Sequence, residues 1–377
     1  MSQESAMRSG ASLNEGRNAV VGAEEADAPV GHWRLAWRGP LRGGAYSILV
    51  DRRALAAAGL LLSTLLVASL AYLALGSGTL SLFEVVAALA GHGDPMAAFL
   101  VQELRLPRLA AACLTGAAFG VAGCLMQTLA RNRLATPGII GIDNGATAFA
   151  VASVVGLGLS LAPSAMALAG ATTAAALAFG LAAGGGTRGY RFIVAGIGVG
   201  AVFEAITQLL LAKVAIDTAN AAYPWTVGSL NARPAGAVAL LAVGLVLGMA
   251  AALWLSRALS LLRFSDSVAS GFGVLVARRR WQVLAVSVML TGLAVAVAGP
   301  VGMVGLIGPE IARSLSSPRG VPLVASALAG ALVMVLSDLA GRVLLAPIEI
   351  PVGIITAVVG GPWLLWILLR PAKRNLA

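Results

Sequence analysis

Charge is scarce in this sequence. Acidic and basic residues make up 11% of its 377 positions and 59% of the chain is hydrophobic, whereas a soluble domain carries about 25% charge. A core packed in water cannot absorb that much apolar surface, so lipid is the solvent for most of the chain. Histidine and cysteine are nearly missing as well. His32 and His92 lie in different extramembrane segments, which argues against a histidine-based metal or catalytic centre. Cys113 and Cys124 are eleven residues apart in one apolar run, about 16 Å along a helix. That is too far for a disulfide, and they read as packing residues. Lysine occurs twice, as Lys213 and Lys373, and neither sits in a G-x-x-x-x-G-K-[ST] loop. Without that phosphate cradle the chain does not hydrolyse ATP by itself. A Ser/His pair or a matched aspartate pair, as a membrane-embedded hydrolase needs, is not evident either.

Long apolar runs are what the sequence does have. Residues 54 to 75 and 235 to 255 are nearly free of charge, and about 20 apolar residues cross roughly 30 Å of hydrocarbon as helix. The runs lack period-2 alternation, so a helical bundle is predicted rather than a closed barrel. Ten helices follow, over 54 to 75, 108 to 129, 138 to 158, 163 to 183, 191 to 212, 235 to 255, 281 to 298, 301 to 315, 321 to 338 and 353 to 370. The eighth is short for a crossing and is kept because the charges require it. With both ends inside, only Arg105, Arg108, Lys213, Arg233 and Arg342 lie outside, leaving 21 of the 26 basic residues on the inner side, as the positive-inside bias demands. The net charge of +10 thus expresses topology, and no nucleic-acid partner is inferred.

Residues 1 to 53 are polar, without an apolar segment followed by a small-residue cleavage site, and read as a cytoplasmic tail. A transmembrane domain over 54 to 370 and a short cytoplasmic tail over 371 to 377 complete the organisation. In the second helix Gly116, Gly120 and Gly123 recur at a spacing that lets helix backbones approach closely. Charge in hydrocarbon is costly and tends to be functional, which singles out Asp143, Glu204 and Glu310. Glu204 lies mid-helix, where it either lines a water-filled path or bonds a neighbouring helix.

Arg105-Leu106-Pro107-Arg108-Leu109, followed by Gly116, Gly123, Gln127, Asn132, Leu134, Ala135, Pro137 and Gly138, forms a recognisable run. Gly299 to Pro309, Ser337-Asp338-Leu339-Ala340-Gly341-Arg342 and Glu349 to Ala357 add further motifs in order. Over about residues 60 to 370 the chain resembles the FecCD family of ABC permeases, which includes vitamin B12 and ferric siderophore importers. The resemblance implies an all-α, polytopic, ten-helix type II ABC importer permease fold in the bacterial inner membrane. It implies two permease subunits, as a homodimer or with a paralogue, around a central path. Two ATPase subunits binding ATP and Mg²⁺, and a periplasmic or lipid-anchored binding protein, are further implied partners. The chain itself holds no cofactor and no metal, and it is not an enzyme.

The resemblance also assigns sites. Arg105, Arg108 and Arg342 fall on the outer side, where family members pair arginines with carboxylates of the binding protein; the alternatives are lipid-headgroup anchoring or an internal pair with Glu103 or Asp338. Asn132 and Leu134, with Gly189 and Tyr190, match places where the family closes the path toward the cytoplasm, though Arg133 replaces the usual proline and leaves a plain loop as the alternative. Residues 264 to 280, with Asp266, Ser267, Ser270, Gly271 and Gly273, match a pair of short helices that seat in the ATPase; a solvated loop is the other reading. Glu310 stands where many relatives have histidine. Tyr223 and Trp225, between the fifth and sixth helices, are either aromatic-belt anchors or vestibule residues. The sequence therefore predicts an importer permease for a metal chelate, with ferric siderophore first. The competing class is an ion-coupled transporter using Glu204 or Asp143.

Overall fold

The computed structural model describes residues 32–38, 45–76, 78–156, 161–182, 190–316 and 320–369. The polar N-terminal stretch contains a feature that its composition did not suggest. Strands β1 (His32–Arg38) and β2 (Ala45–Asp51) pair antiparallel, with Trp33 opposite Val50 and Trp37 opposite Tyr46. Asp51 ends β2 and also caps α1 (Arg52–Ala74), accepting from the Arg53 N–H at 2.8 Å. Residues 1–31 and the predicted tail over 371–377 lie outside the described residues.

Everything else described as regular structure is helical. α2 (Leu82–Leu89) opens with a capping box between Ser81 and Glu84. α3 (Pro95–Ala130) starts well before the predicted residue 108, because its charged residues do not end the helix. It passes through a π turn over Leu100–Arg105, where the Leu106 N–H bonds the Val101 carbonyl. Pro107 explains the widening: it has no N–H for the Glu103 carbonyl, and its ring crowds that oxygen. After a 3₁₀ turn over Pro137–Ile140 come α4 (Ile142–Val154), α5 (Pro163–Leu181), α6 (Tyr190–Ala212) and α7 (Ile216–Val227). The series ends with α8 (Ala235–Leu262), α9 (Asp266–Gly271), α10 (Val276–Ala298), α11 (Val304–Leu315), α12 (Leu323–Val343) and α13 (Val352–Leu369).

Among the described residues seven helices are long and apolar enough to cross a membrane, namely α1, α3, α5, α6, α8, α10 and α12. The other three predicted spans correspond to α4, α11 and α13, of 13, 12 and 18 residues. α4 and α11 measure about 18–20 Å at 1.5 Å per residue, so neither crosses as helix alone. Each follows non-α backbone, the 3₁₀ turn before α4 and the stretch from Gly299 to Met303 before α11. Only one of the two short helices expected over 264 to 280 stands apart; the second half of that stretch is already the first turn of α10.

α3 is the centre of the bundle, packed against α8, α10, α11 and α12. Close approach is the reason for its glycines. A Cβ on Gly116 would strike the Gly330 carbonyl of α12, one on Gly120 the Ser326 carbonyl, and one on Gly123 the Gly305 carbonyl of α11. α4 packs between α5 and α6, with Phe149 edge-on to Phe203 at 6.0 Å. α1, α6 and α8 keep broad apolar faces exposed, including Leu66, Val67, Ile197, Val202, Val246 and Leu247. Faces of that kind are stable only against lipid or another protein.

Candidate functional site

Arginines gather at both ends of α3, and each gathering has its own architecture. Near its start, Arg108 grips Asp338 of α12 with two parallel bonds, Nε to Oδ2 at 2.9 Å and Nη2 to Oδ1 at 3.0 Å. Its remaining Nη1 donates to Glu349 at 2.8 Å. Asp338 is only 1% exposed, and a carboxylate so deep requires this degree of pairing. The Tyr72 hydroxyl of α1 donates to it at 2.6 Å. Arg342 lies one turn on, its Nε 3.6 Å from Asp338 and its guanidinium 3.9 Å over the Tyr72 ring.

Arg105 is also buried. It donates to the carbonyls of Leu73 and Ala74 at 2.6 and 3.1 Å and to that of Gly78 at 2.5 Å. These acceptors belong to the C-terminal end of α1 and the loop beyond it, where helix carbonyls lack partners and the dipole favours a cation. The three predicted docking arginines therefore form one cluster around Tyr72 and Asp338. All three hold internal partners, and the internal pair with Asp338 is present for Arg108 and Arg342. They also line a cavity of about 290 Å³, together with Glu103, Asn231, Arg233 and Glu349. Arg233 stacks 4.2 Å from the Trp225 ring and donates to the Ser229 carbonyl at 2.9 Å. Burial pulls its guanidinium down to about 10, and nearby Arg108 adds to the shift.

At the far end of α3 the chain turns sharply. Arg131 takes a left-handed conformation (φ 51°) and ends the helix. Its side chain reaches across to the predicted coupling segment, with Nε donating to the Leu262 carbonyl at 2.9 Å and Nη2 paired with Asp266. Arg280 of α10 holds the same Asp266 oxygen at 2.8 Å. The following loop is internally braced, since the Asn132 Oδ1 accepts from the Leu134 N–H at 2.9 Å. Arg133 reaches Glu310 of α11 at 3.1 Å, and Arg313 holds the other oxygen of Glu310 at 2.9 Å. Arg313 also donates to Gln127 of α3. Gln127, Arg131, Arg133, Arg263 and Arg313 border a cavity of about 310 Å³.

α9 presents its polar residues outward. Ser265 caps it through the Val268 N–H, Ser267 lies 2.9 Å from the Ser265 hydroxyl, and Ser270 bonds back to the Asp266 carbonyl at 2.8 Å. Gly271 and Gly273 face open space, and Gly273 has φ 78°, which turns the chain toward α10. Leu134 is exposed. Gly189 lies outside the described residues, and Tyr190 is the first residue of α6. Glu204 is exposed on α6 beside Val202 and Ile206, apart from both clusters. Asp143 sits at the start of α4, where its Oδ1 has no hydrogen-bond partner among the described residues. Among the described residues no group of three or more His, Cys, Asp or Glu could hold a metal ion.

Sequence reasoning passed over Tyr72, Arg131, Arg280, Arg313 and Glu349 as site residues. Two hints were available, the i,i+3 spacing of Glu310 with Arg313 and the i,i+4 spacing of Asp338 with Arg342. The contacts of Tyr72, Arg131 and Glu349 cross between distant elements and leave no local signal.

Comparison with known proteins gives consistent results. The model of the FecCD transport family matches residues 64–370. The chain is 36% identical over 329 residues to the ferric enterobactin transport system permease protein FepG of Escherichia coli (strain K12), covering 87% of this chain and 100% of that protein. The permease protein FepD of the same system and organism is 35% identical over 326 residues, covering 85% and 97%. A solved structure described as an inward-facing conformation of a metal-chelate type ABC transporter superposes with a TM-score of 0.73 at 26% identity. That match covers 84% of this chain and 100% of the other.

Proposed function

From the premise that this chain belongs to the FecCD transport family, we propose that it is the membrane permease subunit of a binding-protein-dependent ABC importer for a metal chelate. Ferric siderophore is the cargo we favour, since FepG and FepD are permeases of a ferric enterobactin transport system. In this reading α4, α11 and α13 join the seven long helices as spans, giving ten crossings at the bacterial inner membrane with both termini cytoplasmic. Residues 54–370 form the transmembrane unit, flanked by cytoplasmic tails over 1–53 and 371–377. ATP and Mg²⁺ are bound by two separate ATPase subunits, and a second permease, a copy or a paralogue, completes the path. Glu204 faces that partner or the shared path, because a carboxylate on an apolar face is costly against lipid.

The observation that carries the mechanism is the Arg131–Asp266 pair. Asp266 opens the short helix α9, proposed to seat with Ser267, Ser270, Gly271 and Gly273 in the ATPase. Arg131 begins the loop whose Asn132 and Leu134, with Gly189 and Tyr190, are proposed to close the path. Movement of α9 as the ATPase dimer closes is therefore passed through one charge-assisted contact to the loop, and alternating access follows. At the outer end, the rim of the Arg105, Arg108 and Arg342 cavity receives the binding protein. Its carboxylates compete with Glu349 for Arg108 and reach Arg342, while Arg105 holds the rim from behind.

Reconstitution with the ATPase and binding protein tests the proposal. ATP-dependent, ionophore-insensitive uptake of a ferric siderophore is expected. Uptake by this chain alone, driven by a proton gradient, would instead establish ion coupling through Glu204 or Asp143.

A further inference from the structure

Arg233 takes no part in the transport cycle above, and its surroundings leave its charge unanswered. Arg108 pairs with Asp338 and Glu349, Arg342 lies beside Asp338, and Arg105 is held by the carbonyls that end α1. Arg233 pairs with no carboxylate among the described residues. Its Nε donates to the Ser229 carbonyl at 2.9 Å and its guanidinium lies 4.2 Å from the Trp225 ring. Its Nη2 is buried, with no hydrogen-bond partner among the described residues. A guanidinium withdrawn from water without a counter-charge is costly, and a bound anion removes that cost.

The local backbone fixes the arginine in this position. The Asn231 N–H donates to the Ser229 hydroxyl at 3.2 Å, and Ala232 takes a left-handed conformation (φ 49°) immediately before Arg233. A residue with a Cβ adopts that conformation only where its surroundings impose it. Two cavities meet at the guanidinium. One is the 290 Å³ cavity of the arginine cluster, and the other, of about 440 Å³, is bordered by Arg108, Ser164, Trp225, Asn231, Arg233 and Glu349. The second has the volume of a small-molecule site, about 300–1,000 Å³. On its α5 side the Ser164 hydroxyl is 6% exposed and has no hydrogen-bond partner among the described residues. Glu349 brings a carboxylate to the same cavity, and Arg108 holds it at 2.8 Å. Donors and an unmatched positive charge remain, the combination that suits an oxyanion. Arg108, Asn231, Arg233 and Glu349 border both cavities, so cargo released by a binding protein docked at the first reaches the second next.

We infer that this cavity receives an anionic oxygen of the chelate on Arg233, with Ser164 and Asn231 as further donors, and so favours ferric complexes of catecholate or carboxylate ligands over neutral or cationic hydroxamates. The inference rests on the importer reading above and adds to it the charge of the cargo. Titration of the full-length chain in lipid nanodiscs with a ferric tricatecholate, followed by tryptophan fluorescence quenching, tests it without transport. Saturable binding is expected, weakened about tenfold by Arg233→Gln. Arg233→Lys should fall between the two, since it keeps the charge and loses the planar fork. A ferric trihydroxamate with an ammonium side arm should bind the unsubstituted chain no more tightly than the Arg233→Gln variant. Asn231 is exposed, so Asn231→Asp sets a competing carboxylate in the cavity without disturbing a packed core; it too should weaken the tricatecholate, and it serves if Arg233→Gln does not fold. Equal tricatecholate affinity in all these variants, or no saturable binding, overturns the site. The binding protein's affinity for the chain should be unmoved by Arg233→Gln; a parallel fall would make Arg233 a docking residue and overturn the inference as well. ATP-driven chelate uptake with an unmoved tricatecholate affinity would sink this inference alone, whereas tricatecholate binding without ATP-driven uptake would sink the importer reading alone.

Discussion

Arg133 of the loop after α3 lies 3.1 Å from Glu310 of α11, so two charges that the sequence singles out separately are partners. The two side chains meet as an ion pair between the loop and α11. Glu310 also holds Arg313, which in turn bonds Gln127, so the pair fastens the loop to α11 and to the base of α3. A charge that looked like a perturbation of the loop is one of its attachments.

The strength of that attachment is predictable. Arg133 is 69% exposed and Glu310 16%, and solvent screening limits such pairs to about 0.2–1 kcal/mol. A double-mutant cycle of Arg133→Ala and Glu310→Gln, read by thermal unfolding, should return a coupling energy in that range. Glu310→Gln alone should cost more than Arg133→Ala, because it also strips Arg313.

Asp338 behaves differently because it is enclosed. Asp338→Ala leaves Arg108 and Arg342 without their shared anion and should cost about 3–5 kcal/mol, lowering expression and the unfolding temperature sharply. Tyr72→Phe removes one hydrogen bond to the same carboxylate, worth about 2 kcal/mol. Equal effects of the two variants would remove Asp338 from the centre of the cluster.

The Arg131–Asp266 contact is a prediction about coupling, not stability. In proteoliposomes containing the ATPase and binding protein, Asp266→Asn and Arg131→Gln should each cut siderophore uptake about tenfold, a 1.4 kcal/mol effect. ATP hydrolysis should fall less, so the number of ATP molecules used per chelate imported rises. A parallel loss of both rates would mean that the ATPase no longer seats.

Glycine packing gives a contrast within one protein. Gly123→Ala drives a methyl into the Gly305 carbonyl and should destabilise by about 2 kcal/mol through overpacking. Gly59→Ala, on α1 with nothing within 4 Å of the new carbon, should leave the unfolding temperature unchanged or slightly higher.

Membrane embedding and the seven long apolar helices were legible because each is a property of contiguous residues. The glycines of α3 were legible as a packing face for the same reason. The start of α3 was misplaced at 108 because Glu103, Arg105 and Arg108 read as extramembrane, while the fold satisfies Arg105 with the carbonyls that end α1. The hairpin was hidden by composition, since its alternating residues are outnumbered by polar neighbours in the same stretch.

The order of residues alone thus determined the solvent of this protein, its helical class and its family, since hydropathy, helix length and ordered motifs are written along the chain. Tertiary structure decided which charges are partners. Arg108 meets Asp338 across 230 residues and Arg131 meets Asp266 across 135. Such pairs form only when packing brings their helices side by side and removes the water that would otherwise solvate each charge.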